Sequence, residues 1–179
     1  MNIIINKLLV IIIYGLLISF PLLAMEQVDD IPSGTYLIKA RGEFLFFRGE
    51  YEFAGMKPAI SKQSICTFEK KVEGYLIKNW HSGTYLYIEN SANNHLYPAR
   101  WGHITANSYF DIFIDNNKEY VIKNKKFSDY LFFNLHSEMS DGSHKLLNTK
   151  YLYPSANSEP FSQTVSGRFI FLPYNSNYF

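Results

Sequence analysis

The sequence of 179 residues has a single cysteine, Cys66, and none of its asparagines stands in an Asn-x-Ser/Thr sequon. One thiol excludes an intramolecular disulfide, so the fold must hold by its core alone. Set between Ile65 and Phe68, Cys66 reads as a buried, unreactive thiol. Without a sequon the surface carries no N-linked glycan. Neither sign of charge is in excess, with 17 basic and 16 acidic side chains. That balance excludes a nucleic-acid partner, whose binding depends on clustered Lys and Arg. The nearest cluster, Lys123, Lys125 and Lys126, reads as a solvated turn. Catalytic motifs are missing too: there is no His-Glu-x-x-His, no Gly-x-Ser-x-Gly and no glycine-rich phosphate loop. His81, His95, His103, His136 and His144 fall in loop-like sequence beside Asn, Ser or Gly, without the paired spacing of metal ligands. The sequence thus predicts neither enzyme chemistry nor a metal or cofactor. After residue 25 nothing sustains a period of 3.6, which removes helical folds.

Long apolar runs occur only at the start. Asn2 and Lys7 precede an apolar stretch over residues 8–23, interrupted by Gly15, Ser19 and Pro21 and followed by Ala24. This has the form of a secretory signal peptide over residues 1–24, with Ala24 at the cleavage position. An uncleaved anchor is the competing reading, since roughly 20 apolar residues span a bilayer. Cleavage leaves residues 25–179, enough for one domain, secreted and with no membrane insertion afterwards.

What the chain has in abundance is aromatic side chains, 17% of the sequence, and they recur in order. Gly34-Thr35-Tyr36-Leu37-Ile38-Lys39, Gly74-Tyr75-Leu76-Ile77-Lys78-Asn79 and Glu119-Tyr120-Val121-Ile122-Lys123-Asn124 place their tyrosines 39 and then 45 residues apart. A second apolar run follows each phrase: Phe44-Leu45-Phe46-Phe47, Tyr85-Leu86-Tyr87-Ile88 and Tyr130-Leu131-Phe132-Phe133. Prolines follow at Pro58, Pro98 and Pro154, with an insertion in the third copy expected within residues 137–150. Elements containing Phe68, Phe113 and Phe169-Ile170-Phe171 close the copies.

Short aromatic or β-branched runs bounded by Ser33-Gly34, Ser82-Gly83, Asn116-Asn117, Asp141-Gly142 and Ser166-Gly167 read as strands. Each copy cannot bury its own apolar face, so the copies must share a core. Three units of four strands are too few for a propeller, and closure removes exposed sheet edges. The prediction is an all-β fold, a β-trefoil with pseudo-threefold symmetry and repeats at about 33–73, 74–118 and 119–174. Tyr36, Tyr75 and Tyr120 belong to its core.

The repeats resemble the ricin B-type lectin trefoils, whose subdomains run through Ile-x-Asn, Ser-Gly-x-x-Leu and Gln-x-Trp. The second copy carries the resemblance in Ile77-Lys78-Asn79, in Ser82-Gly83-Thr84-Tyr85-Leu86 and in His95-Leu96-Tyr97-Pro98-Ala99, which is similar to the family's Gln-Leu-Trp-Pro-Cys. Ala106-Asn107-Ser108-Tyr109-Phe110 is similar to Ala-Asn-Gln-x-Trp. The resemblance implies a sugar platform at Tyr97, a sugar hydrogen bond at Asn107 and a packed ring at Phe110. It departs from the family where an acidic sugar acceptor would stand, at Tyr87 and Phe132, and no copy has an intact Gln-x-Trp. Galactose specificity is not implied.

Two constellations follow: Tyr97 with Asn93, Asn94, His95 and Asn107, and Tyr153 with Asn148, Ser155 and Asn157. Tyrosine offers sugar an apolar face and a hydroxyl, and amides supply polar contacts. The expected function is a secreted, non-catalytic binding module for a glycan or cell-surface glycoconjugate. The alternative is a secreted trefoil that binds an extracellular protein, as an inhibitor, toxin accessory subunit or host-directed effector.

Overall fold

The computed structural model describes residues 25–89, 96–128, 130–138, 145–150 and 167–175; for residues 96–98, 133–138 and 145–150 it describes the backbone alone. A short strand β1 (Glu26–Gln27) precedes the three lead phrases, which form β2 (Thr35–Ala40), β6 (Gly74–Asn79) and β10 (Tyr120–Asn124). The second runs form β3 (Glu43–Phe46), β7 (Tyr85–Ile88) and β11 (Tyr130–Glu138). Third strands are β4 (Gly55–Lys57), β8 (Leu96–Gly102) and β12 (Lys145–Lys150), and fourth strands are β5 (Ile65–Lys71), β9 (Phe110–Ile114) and β13 (Ile170–Pro173). A 3-10 turn runs over Lys62–Ser64, and among the described residues no helix is long and apolar enough to cross a membrane.

First and fourth strands make a barrel. β13, β2, β5, β6, β9 and β10 pair antiparallel in that order, and a bridge between Tyr120 and Phe169 closes the ring. Second and third strands make three hairpins that cap one end. They are joined by the β12 pairings with β4 and β8 and by a Phe53–Arg100 bridge. This is the β-trefoil, and its symmetry holds at the level of register: Tyr36 faces Cys66, Tyr75 faces Phe110 and Tyr120 faces Phe169.

Alternation of the phrases sets which side chains enter the core. Ile38, Ile77 and Ile122 line the barrel, while Leu45, Leu86 and Leu131 project from the hairpins, all buried. Truncating one such leucine to alanine costs about 2–5 kcal/mol. Tyr36 and Tyr75 are buried as predicted, and half-buried Tyr120 stacks on Phe171 with ring centroids 4.0 Å apart. Cys66 is fully buried among them, and burial pushes its thiol up to about 12. Gly74 is fixed by space: a Cβ there would lie 2.9 Å from the Phe110 carbonyl oxygen, where β6 meets β9.

Buried asparagines fasten the turns. Asn79 Nδ2 donates to the carbonyls of Gln63 (2.8 Å) and Ile65 (3.3 Å), and its Oδ1 accepts from the amides of His81 and Ser82. Asn124 repeats this, donating to Asn107 and Tyr109 carbonyls and accepting from the amides of Lys126 and Phe127. The first repeat has Ala40 at this place and turns instead through Arg41 and Gly42, both left-handed at φ 49° and 82°.

Some details differ from the sequence expectation. The prolines are not equivalent: Pro98 lies inside β8, three residues before Trp101, whereas Pro58 follows β4, two residues after the corresponding Met56. Extra length in the third copy lies mainly beyond 137–150, because β12 occupies Lys145–Lys150. Equivalent register positions Met56 to Cys66 and Trp101 to Phe110 are ten and nine residues apart, against twenty from Thr149 to Phe169. His136 falls within β11, not a loop. Lys123 belongs to β10 rather than to a turn, its Nζ 5.5 Å from the Tyr130 ring centroid.

Candidate functional site

Of the residues singled out for binding, Asn107 is fully described. It is half-buried, and its Nδ2 donates to the Ile88 carbonyl at 3.0 Å, tying the segment before β9 to the end of β7. Its backbone carbonyl accepts from Ile88 and from Asn124, so most of Asn107 is structural. Among the described residues no donor reaches its Oδ1, which leaves one acceptor for a ligand. Tyr97 falls on β8 opposite Thr149, with its side chain outside the described part. His95, Tyr153 and Asn157 lie outside the described residues, as do Asn93, Asn94 and Ser155. Phe110 is fully buried, in keeping with the packed ring that the resemblance implied.

In the place of the family's glutamine, Ser108 is also fully buried. Its Oγ accepts from the Thr105 amide at 3.0 Å, and Ser64 repeats the arrangement with Ser61 in the first copy. These serines close short turns and are shut off from the surface.

The structure assembles a different group on the outer side of the second hairpin. Tyr87 points outward from β7 because its neighbours Leu86 and Ile88 point in. Across the pair, Arg100 donates from Nε to Glu89 at 2.7 Å and from Nη1 to the Tyr51 carbonyl at 2.7 Å, with its guanidinium 3.9 Å from the Phe53 ring centroid. Tyr51 comes from the β3–β4 loop and is held by its amide, which donates to the Trp101 carbonyl at 2.6 Å. Trp101 is itself fully buried, its Nε1 donating to the Phe46 carbonyl at 3.1 Å.

Gly102 lets the two tyrosines meet. A Cβ there would lie 3.1 Å from Tyr87 Cε1 and 3.3 Å from Tyr51 Cδ1, so any side chain would push the rings apart. Burial, with a smaller contribution from Glu89, raises the Tyr87 hydroxyl above its ordinary pKa. Tyr51 has φ 62°, an unusual conformation for an aromatic residue, yet 53% of its surface is exposed. His103 packs edge-on to Tyr51 at 5.9 Å, and its Nε2 lies 3.6 Å from Glu50. The result is a shallow aromatic surface with charged groups at its rim. Among the described residues no group of three or more His, Cys, Asp or Glu could hold a metal ion.

Sequence reasoning missed Tyr51, Arg100 and Gly102, because the group joins two repeats. The one readable signal is Glu50-Tyr51-Glu52, an aromatic between acids outside the repeated phrases.

No protein-family model matches the chain, nor does any curated protein. Solved structures do. A designed threefold-symmetric protein, ThreeFoil, superposes with a TM-score of 0.62 at 14% identity, covering 79% of this chain and 99% of that one. The Macrolepiota procera ricin B-like lectin, solved with lactose, gives 0.61 at 15% identity, covering 81% and 99%. The Haemophilus ducreyi cytolethal distending toxin gives 0.58 at 14% identity, covering 82% and 89%. Likeness at these identities shows the β-trefoil, and a fold does not carry function.

Proposed function

We propose that the protein is a secreted, non-catalytic module that binds a glycan of a cell-surface glycoconjugate through the outer side of its second hairpin. The carrying observation is the convergence of Tyr51 and Tyr87 over Gly102. A sugar ring stacks on an exposed tyrosine face, while polar groups beside it read the hydroxyls. Glu89 and Arg100 are such groups beside Tyr87, and Asn107, tied to the end of β7, has an Oδ1 that no donor among the described residues reaches. Tyr97 and His95, and Tyr153 with Asn157 in the third repeat, remain sequence-derived contacts of this reading. The lectin among the structural neighbours supports it at the level of scaffold.

A glycan array tests the proposal. Retention of the purified protein on a defined glycan, lost in Tyr51→Ala with unchanged circular dichroism, supports it. Binding to no glycan removes it.

A second reading, recognition of an extracellular protein, is favoured by Tyr87 standing where the lectin family has an acid, and by Trp80, which is 57% exposed in the β6–β7 turn. Capture of a single protein partner, insensitive to added sugars, distinguishes it.

A further inference from the structure

Pseudo-symmetry supplies an internal comparison for the Tyr51–Tyr87 surface. Phe44, Tyr85 and Tyr130 are equivalent, and their register partners are Lys57, Gly102 and Lys150. Two repeats therefore carry lysine where the second has glycine. In the first repeat the Lys57 ammonium sits 4.8 Å from the ring centroid of Phe46 and donates to Ser61 Oγ at 2.6 Å. Phe46 corresponds to Tyr87. The second repeat thus keeps the aromatic and lacks the ammonium that covers it in the first.

The surroundings have changed to match a cation from outside. Tyr51 brings a second ring over Gly102, and His103 stands against its edge. Glu50 and Glu52 flank Tyr51 along the chain and Glu89 stands beside Tyr87, while Arg100 is committed to Glu89, the Tyr51 carbonyl and Phe53. Tyrosine faces attract cations through the ring quadrupole, and neighbouring carboxylates add to that attraction. The left-handed backbone of Tyr51 is costly for an aromatic and is sustained by the bonds to Trp101 and Arg100 on either side of it.

We infer that the surface formed by Tyr51 and Tyr87 over Gly102 binds an alkylammonium group of the ligand, the kind of group that Lys57 sets against Phe46 in the first repeat. This rests on the glycan-binding reading and specifies its ligand as one bearing an amine or quaternary ammonium, carried by an amino sugar or by a choline substituent.

The test is titration of the protein with choline chloride, glucosamine and N-acetylglucosamine, followed by NMR of ring-labelled tyrosine. Choline or glucosamine is expected to shift Tyr51 and Tyr87 resonances saturably, with N-acetylglucosamine, which lacks the charge, without effect. A choline response alone identifies the quaternary ammonium as the source, and a glucosamine response alone identifies the amino sugar. Tyr51→Leu keeps apolar bulk and removes the ring, and should weaken cation binding about tenfold. Glu50→Gln removes a carboxylate next to Tyr51 and should weaken it as well, with the fold intact. Array glycans that bind while neither cation shifts the tyrosines overturn the inference and leave glycan binding standing. Cation shifts that persist unchanged in Tyr51→Leu overturn the assigned place.

Discussion

Replacing Asn79 by alanine removes the fastening of the β6–β7 turn. Asn79 is fully buried and makes five hydrogen bonds: to the carbonyls of Gln63 and Ile65, and from the amides of His81 and Ser82 and the Ser82 hydroxyl. Not all five count in full. The Gln63 carbonyl also accepts from Phe47, and that of Ile65 from Trp80, so neither acceptor is orphaned. His81 is exposed and can turn to water. At about 1 kcal/mol net for each bond lost without replacement, the expected loss is about 2 kcal/mol. For a domain of this size that lowers Tm by about 4–8 °C. Asn124→Ala should cost a similar amount, since Asn124 holds the corresponding turn to Asn107 and Tyr109. The sites share no hydrogen-bond partner, so the double variant should lose the sum. Urea denaturation followed by tyrosine fluorescence gives all three values. A loss below 1 kcal/mol for both single variants would refute the fastening role, because Ala40 would then show that the side chain is dispensable in every repeat.

Cys66 should resist thiol reagents in the native protein and react on unfolding. Its raised pKa has a definite sign: above pH 9 the unfolded chain releases this proton while the folded chain holds it to about 12, so the contribution to stability is intact below pH 9 and falls toward pH 12. Denaturation of wild type and Cys66→Ala across that range checks it, and parallel pH curves would contradict it. Arg168→Leu should cost about 3 kcal/mol, because Arg168 pairs with Asp115, whose side chain is almost entirely buried, and the variant leaves that charge unmatched. An unchanged urea midpoint would count against it. Tyr51→Gly should shift stability by no more than about 1 kcal/mol, since relief of the left-handed backbone offsets lost contacts, while glycan retention disappears.

The repeated phrases revealed the trefoil because strand identity, facing and period are all local. Tyr36, Tyr75, the three isoleucines and the hairpin leucines could be assigned to the core because they recur in the repeated runs. Register could not. The prolines suggested a common mark, yet Pro98 lies within a strand and Pro58 beyond one, because loop lengths differ among copies. Asn79 and Asn107 were legible as motif members, while only coordinates reveal that the Asn79 side chain is consumed in fastening a turn and that no donor among the described residues reaches the Asn107 Oδ1. The Tyr51–Gly102–Tyr87 contact joins residues of two repeats through hairpin pairing, and spacing along the chain carries no trace of it.

The most direct test is a crystal structure of the protein with the best glycan from the array. Density for the sugar against the rings of Tyr51 and Tyr87, within hydrogen-bond reach of Glu89 or Asn107, is the predicted result. Sugar bound at another repeat, with the second hairpin bare, would contradict it.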